Sequence, residues 1–153
     1  PGESELHVSD DHVLSSFSNS FRDKTTQSGR FAGVRWERRE ICEIITMDAL
    51  IEAHGRPRFV KIDVEGFESE VLAGLTTAVP ALSVEWVPEL PENAEKCIRR
   101  LMELGDYEFH MSFGERMTFS RKEWRTHESM LNLIEELRDE TSLFGDIYAR
   151  LKS

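Results

Sequence analysis

The chain has 153 residues, a length that suits one domain with a hydrophobic core. Its formal net charge of −10, from 29 acidic and 19 basic side chains, disfavours nucleic acid as a direct partner. No apolar run approaches the roughly 20 residues that span a bilayer, and no secretory signal is visible. We therefore expect a cytoplasmic protein without a membrane span. Cys42 and Cys97 lie far apart in segments predicted to be buried, which predicts free thiols rather than a disulfide or a zinc site.

The first 40 residues are the least regular part of the sequence. SELHV is compatible with a short strand, but the stretches rich in serine and threonine that follow it are typical of turns and loops. REICEIIT alternates and is β-branched, which predicts a strand. The next segment, MDALIEAHG, predicts a short helix that begins with Asp48 as its N-cap and ends at Gly55.

From residue 59 onward, predicted strands and helices alternate along the chain. The strands are FVKIDV, ALSVEWV, YEFHMSF and DIYARL, and the helices between them are FESEVLAGL, PENAEKCIRRLMELG and a segment from about Ser120 to Arg138. This alternation predicts an α/β fold with a mainly parallel sheet and helices on its faces. We expect one domain over residues 1–153, with a loop-rich segment at 1–40 and an α/β core at 41–153.

Acidic side chains stand at the ends of two predicted strands. Asp63 and Glu65 close FVKIDV, and Glu85 lies near the end of ALSVEWV. Ligands of open α/β sheets bind outside the carboxyl ends of the strands, so these residues are candidates for binding or general-base catalysis. Alternatively, Asp63 caps the following helix. A divalent metal bridging the three carboxylates is conceivable in such an oxygen-rich site, but we predict none. A nucleotide-triphosphate site is excluded, because the sequence has no GxxxxGK[ST] loop.

The stretch from ITMDALIEAHG through SVEW resembles the FkbM family of methyltransferases. The family pattern has a threonine–x–aspartate–x–leucine helix start, a KIDVEG strand, an acidic helix and a strand that ends in glutamate. The residues that fit it are Thr46, Asp48, Leu50, Lys61, Ile62, Asp63, Val64, Glu65, Gly66, Glu68, Leu72, Gly74 and Glu85. The later residues Leu104, Gly105 and Tyr107 and the closing GDIYARL also fit, while Ser15 and Ser16 loosely match a serine pair.

This resemblance implies a class I methyltransferase that uses S-adenosylmethionine. The implied fold is Rossmann-like, with a mostly parallel sheet whose last strand is antiparallel. The family binds its cofactor through a glycine-rich loop after the first strand and an acidic residue after the second, and neither element occurs in this sequence. We therefore expect a partial fold, a C-terminal half whose N-terminal cofactor-binding strands are missing.

The resemblance also implies site roles and a reaction. Asp63 is expected to act as the base or to orient the acceptor hydroxyl, with Glu65 in support. The remaining assignments are substrate contacts for Glu85, Lys61, Trp86 and His110, and cofactor contacts for Gly66 and Ser16. Alternatively, Lys61 is a structural ion-pair partner of Asp63, Trp86 belongs to the core, and His110 is a partly buried histidine whose hydrogen bonds are satisfied within the protein.

The expected reaction is O-methylation of a hydroxyl on a sugar, a lipid-linked glycan or a secondary metabolite. The expected partner is thus a small-molecule or glycan acceptor, and a homo-oligomer is compatible with the sequence. The alternative function is a non-catalytic α/β binding or interaction module. A glycine-rich strand, turn and helix encoded upstream would favour the enzyme.

Overall fold

A computed structural model describes residues 2–11, 13–114 and 118–152. The elements follow the order β1 (Gly2–Val8), α1 (Asn19–Gln27), β2 (Arg38–Ile44), α2 (Met47–His54), β3 (Val60–Ile62), α3 (Glu68–Ala73), β4 (Ala81–Trp86), α4 (Pro91–Leu104), β5 (Tyr107–Phe113), α5 (His127–Leu137) and β6 (Gly145–Leu151). Within these ranges, no helix is both long enough and apolar enough to cross a membrane.

The main sheet has four strands in the order β3, β4, β6, β5. β3 and β4 pair in parallel, and β6 lies between β4 and β5, antiparallel to both. Three strands therefore point the same way and the last runs against them, as the sequence predicted, although parallel pairing is confined to β3 and β4. In the part of the chain that the structure describes, no strand pairs with the outer edge of β3.

One face of this sheet carries the hydrophobic core. Side chains alternate between the two faces of a strand, so Leu82, Val84 and Trp86 of β4 point to this face, where each is 1% exposed. Leu72 of α3 and Ile98 of α4 belong to the same buried cluster. Each such side chain contributes roughly 1.5–3 kcal/mol by leaving water, so the three helices α3, α4 and α5 stabilise the sheet from this side.

The opposite face of the sheet is polar. The strand register aligns two rows of side chains there, Lys61, Ser83, Tyr148 and His110 in one and Glu85, Asp146 and Ser112 in the other. The second row lies at the carboxyl ends of β3 and β4. Two acidic side chains, Glu85 and Asp146, therefore lie side by side at this edge of the sheet.

β1 and β2 form a separate antiparallel ribbon. REICEIIT is a strand, as predicted, but it does not join the main sheet. Ile41 is 65% exposed, and no residue of β2 is buried. The burial expected for Cys42 is therefore wrong, since it is half-buried, whereas Cys97 is buried in α4; both thiols are free, as predicted.

The prediction of loop alone between β1 and β2 is wrong. α1 forms there because the Ser18 hydroxyl accepts a hydrogen bond from the N–H of Phe21 at 3.1 Å, which caps the helix. Phe21 is fully buried and anchors α1 beside Val87 and Leu90. One buried aromatic side chain thus fixes a helix whose other residues are mostly polar.

Two predicted helix starts are also wrong. The N-cap of α2 is Thr46 rather than Asp48, whose carboxylate instead accepts the N–H of Thr76 at 2.9 Å. α5 begins at His127 rather than near residue 120, because the Thr126 side chain caps it. At α2, the Thr46 hydroxyl lies two residues before Asp48 and competes well with its carboxylate as a cap.

Candidate functional site

β3 leads directly into the turn that holds the candidate site. The strand ends at Ile62, so Asp63 and Glu65 lie in the turn before α3 and not on the strand as predicted. Glu65 and Gly66 both have left-handed backbones, with φ of 52° and 86°. For a residue with a side chain this conformation costs roughly 1–2 kcal/mol. The turn, and not strand alternation, therefore brings the two carboxyl groups together.

Glu68 holds this turn from inside the protein. Its carboxylate is 2% exposed and accepts the N–H groups of Val64 at 3.2 Å and Gly66 at 3.1 Å. The side-chain amide of Asn93 donates to the same carboxylate. Burial raises the pKa of Glu68, and these donors oppose the rise. Glu68 thus replaces water for backbone groups that would otherwise be buried unpaired.

The N-terminal segment braces the turn from the other side. The buried Ser16 hydroxyl donates to the carbonyl oxygen of Glu65 at 2.6 Å and accepts the N–H of Ser18 at 2.8 Å. A Cβ at position 66 would lie 2.6 Å from the Cβ of Phe21, so only glycine fits there. Ser16 and Gly66 thus contact the turn itself, and the cofactor contacts expected of them stay predictions.

Three carboxyl groups meet in front of this turn. One oxygen each from Asp63, Glu65 and Glu85 lie within 4.8 Å of one another, close enough to share a cation. Lys61 Nζ lies 3.3 Å from Asp63 Oδ2 and 3.4 Å from Asp146 Oδ1. The structure therefore makes Lys61 an ion-pair partner of Asp63, the alternative that the sequence left open, while its substrate contact stays a prediction.

Burial and mutual repulsion perturb this cluster. Burial, followed by repulsion from Glu65 and Asp63, raises the pKa of Glu85 to about 9. Burial, followed by repulsion from Asp63 and Glu68, raises the pKa of Glu65 to about 8. Glu65 and Glu85 are therefore mostly protonated at neutral pH, so each can donate as well as accept a hydrogen bond. Burial alone would lower the pKa of Lys61, but the neighbouring carboxylates outweigh it and raise that pKa.

The cluster opens into a cavity of about 380 Å³. Besides the three carboxyl groups, the lining consists of Val13, Leu14, Arg30, Phe31, Val87 and Phe144. Most of these side chains are apolar, so the cavity has a polar floor and hydrophobic walls. That combination is typical of sites that bind a small organic molecule and fix its orientation through a few polar groups.

Arg30 ties the walls of the cavity together. Its Nε donates to Glu89 Oε1 at 2.8 Å, and its Nη2 donates to the carbonyl oxygens of Thr141 at 2.5 Å and Leu143 at 2.6 Å. These partners belong to the β4–α4 and α5–β6 connections, whereas Arg30 precedes β2. The guanidinium is thus committed to three protein groups. Residues 30 and 89 are 59 positions apart, so no local pattern could have predicted the pair.

Two residues predicted to contact the substrate lie elsewhere. Trp86 is 1% exposed in the core and packs edge-on against Phe113, with ring centroids 6.5 Å apart. His110 is fully buried and stacks on Phe119 at 4.2 Å. Neither side chain is among those that line the 380 Å³ cavity. The placement of Trp86 agrees with the core alternative. His110 is buried on the face opposite the core, and among the described residues its Nε2 has no hydrogen-bond partner, so the alternative of a satisfied, partly buried histidine is wrong. The substrate contacts of both residues stay predictions.

Comparison with protein families gives a match over most of the chain. Residues 2–141 match the model described as the methyltransferase FkbM domain. No curated protein and no solved structure matches the chain. The matched range contains the turn after β3, Glu85 and Arg30, and thus nearly the whole lining of the cavity.

Proposed function

The chain belongs to the FkbM methyltransferase family, and we propose that it takes part in S-adenosylmethionine-dependent methylation of a hydroxyl on a sugar or a secondary metabolite. The carboxyl cluster of Asp63, Glu65 and Glu85, which forms the polar floor of the cavity, carries this proposal. It lies at the carboxyl ends of two adjacent parallel strands, where α/β sheets bind their ligands. The hydrophobic walls suit the body of a small organic acceptor.

Asp63 is the proposed base of the reaction. S-adenosylmethionine, when bound, supplies a methyl group on a positively charged sulfur. Asp63 would accept the proton that the acceptor hydroxyl loses as its oxygen takes this methyl group. Lys61, 3.3 Å away, keeps the Asp63 carboxylate oriented. Glu65 and Glu85 hydrogen-bond neighbouring acceptor groups and fix which hydroxyl faces Asp63.

The described residues fit the acceptor better than the cofactor. The glycine-rich turn and the acidic ribose contact that the family pattern requires do not occur in this sequence. We therefore assign the chain the acceptor-side half of the fold. The outer edge of β3 supports this assignment, since no described strand covers it and an open edge is a ready pairing site for a further strand. The free thiols support a cytoplasmic location.

Methyl transfer by the full-length gene product tests the proposal. The product is incubated with S-adenosylmethionine labelled in its methyl group and a panel of sugars and hydroxylated metabolites, and label in the acceptor is counted. Asp63→Asn should lower the turnover number at least 100-fold, because it removes the base while keeping the shape of the side chain.

Glu70→Gln is the matched control, because Glu70 is exposed on α3 close to the site in sequence. It should stay within twofold of the wild type. Full activity in Asp63→Asn would exclude Asp63 as the base, and no transfer to any hydroxylated acceptor would leave the chain as a binding module. Turnover by the 153-residue chain alone would contradict its assignment to the acceptor side only.

A further inference from the structure

We infer that the acceptor carries a primary amine on an apolar body, and that the ammonium group binds among Asp63, Glu65 and Glu85. The inference rests on the proposed function, because it names the acceptor class for the same cavity. It goes beyond that function because it gives the acceptor an ammonium group, which methyl transfer to a hydroxyl does not itself require.

The first support is the geometry of the three oxygens. They all lie within 4.8 Å of one another, so a nitrogen placed among them can lie within about 2.8 Å of all three. Charge-assisted hydrogen bonds from nitrogen to carboxylate oxygen are about 2.7–2.9 Å long. An ammonium group has three N–H donors, one for each oxygen. A primary amine therefore matches the cluster in both spacing and number of donors.

The second support is that neither Glu65 nor Glu85 has a cationic partner among the residues that the structure describes. Throughout the described ranges, no side chain forms a hydrogen bond or an ion pair with either carboxyl group. The charged groups around the cluster are already engaged: Lys61 pairs with Asp63 and Asp146, Arg30 binds Glu89, and Glu68 binds the turn. Half-buried carboxyl groups without partners are costly, and a ligand cation would supply what the protein does not.

The third support is the apolar wall, which separates an organic amine from a metal ion. Five of the lining side chains are hydrophobic: Val13, Leu14, Phe31, Val87 and Phe144. A magnesium ion keeps several waters and gains nothing from such a wall. An amine on a ring or a hydrocarbon body places its charge on the polar floor and buries the body against the wall.

Three probes of nearly equal shape test this inference on the full-length gene product. Benzylamine, benzyl alcohol and benzoate differ in the charge of one substituent, and calorimetry at pH 7 gives their dissociation constants. Benzylamine should bind at least tenfold more tightly than benzyl alcohol, and benzoate should not bind. Repeating the benzylamine titration in two buffers with different ionisation enthalpies should show about one proton released, since a protonated carboxyl must ionise beside the amine.

The double variant Glu65→Gln with Glu85→Gln should lose the preference for the amine and the proton release, while Glu70→Gln should keep both. The glutamines preserve the shape of the side chains and cannot ionise, so the variant is expected to fold. Equal binding of alcohol and amine would overturn the inference. So would displacement of benzylamine by S-adenosylmethionine or by millimolar magnesium, because the site would then belong to the cofactor or to a metal.

These outcomes are separate from those of the methylation assay. A full-length protein that methylates uncharged polyols and ignores their amino counterparts would overturn the amine inference and leave the methyltransferase proposal intact. Amine binding without methyl transfer would support the amine inference and count against the methyltransferase proposal.

Discussion

The core face of the four-stranded sheet consists of well-packed apolar side chains, whereas the turn at its carboxyl edge has a strained backbone and crowded carboxyl groups. On the core face, apolar side chains such as Leu82 and Val84 are 1% exposed and pack against three helices. At the edge, a few residues away, Glu65 adopts a left-handed backbone and three carboxyl groups crowd within 4.8 Å. The same strands, β3 and β4, serve both regions.

Residues of the core face stabilise the fold, whereas residues of the carboxyl edge are those that the site requires. In the core, local pattern, burial and packing all favour the same structure. At the edge they conflict, because strain, unpaired carboxyl groups and repulsion each cost free energy. Such conflicts persist where function requires them. Substitutions in the core should therefore lower stability, whereas neutralising the edge should raise it.

The largest effect is expected in the core, at Leu72. Leu72→Ala should lower the free energy of unfolding by roughly 2–5 kcal/mol, because the fully buried side chain leaves a cavity between α3 and the sheet. Chemical denaturation followed by circular dichroism measures the change. Leu50→Ala is the matched control, since Leu50 is 39% exposed on α2, and should change stability by about 0.5 kcal/mol at most. Equal losses would mean that the core is not where stability resides.

An intermediate effect is expected at Gly66, where the two regions meet. Gly66→Ala should lower the free energy of unfolding by roughly 2–4 kcal/mol. The alanine would have to adopt a backbone φ of 86°, and its Cβ would lie 2.6 Å from the Cβ of Phe21. Gly29→Ala isolates the backbone contribution, since Gly29 has φ of 85° with open space around it, and should cost only about 1 kcal/mol. Thermal unfolding of both variants gives the difference, which measures the contact with α1 alone. No difference would show that α1 is not packed against the turn.

The same comparison explains how far the sequence alone could lead. Periodic elements such as α4 and β5 were predictable because one side of each is apolar at the right spacing. Asp63, Glu65 and Glu85 were predictable as a group because parallel strands end at one edge. That reasoning needs only element order, which the alternation of strands and helices supplies.

What could not be predicted depends on contacts between distant segments. α1 forms because Phe21 fills a site beside Gly66, and the cavity wall exists because Arg30 reaches Glu89 and the α5–β6 connection. Trp86 sits next to Glu85 in sequence but points to the opposite face of the sheet, so proximity to the acidic residue was a poor guide. None of these contacts leaves a periodic signal.

The smallest effect is expected at Glu85 and has the opposite sign. Burial raises the pKa of Glu85 from its ordinary 4.5 to about 9 in the folded protein. Between these values the folded state holds a proton that the unfolded state releases, so stability falls as pH rises through this window. Glu85→Gln cannot ionise and escapes that loss. At pH 5.5 the variant should therefore be more stable than the wild type by about 1–2 kcal/mol, and the two should agree below about pH 4.

Urea denaturation at several pH values measures this difference, with Glu70→Gln as the control that should follow the wild-type dependence on pH. A parallel fall in Glu85→Gln and the wild type would mean that the Glu85 carboxyl is not held protonated by its surroundings. A weaker dependence of stability on pH in Glu85→Gln, together with weaker benzylamine binding, would mean that the Glu85 carboxyl group both lowers the stability of the fold and binds the ligand. That outcome would place the conflict between stability and function on one side chain, because the same burial that disfavours its charge strengthens its attraction for a cation.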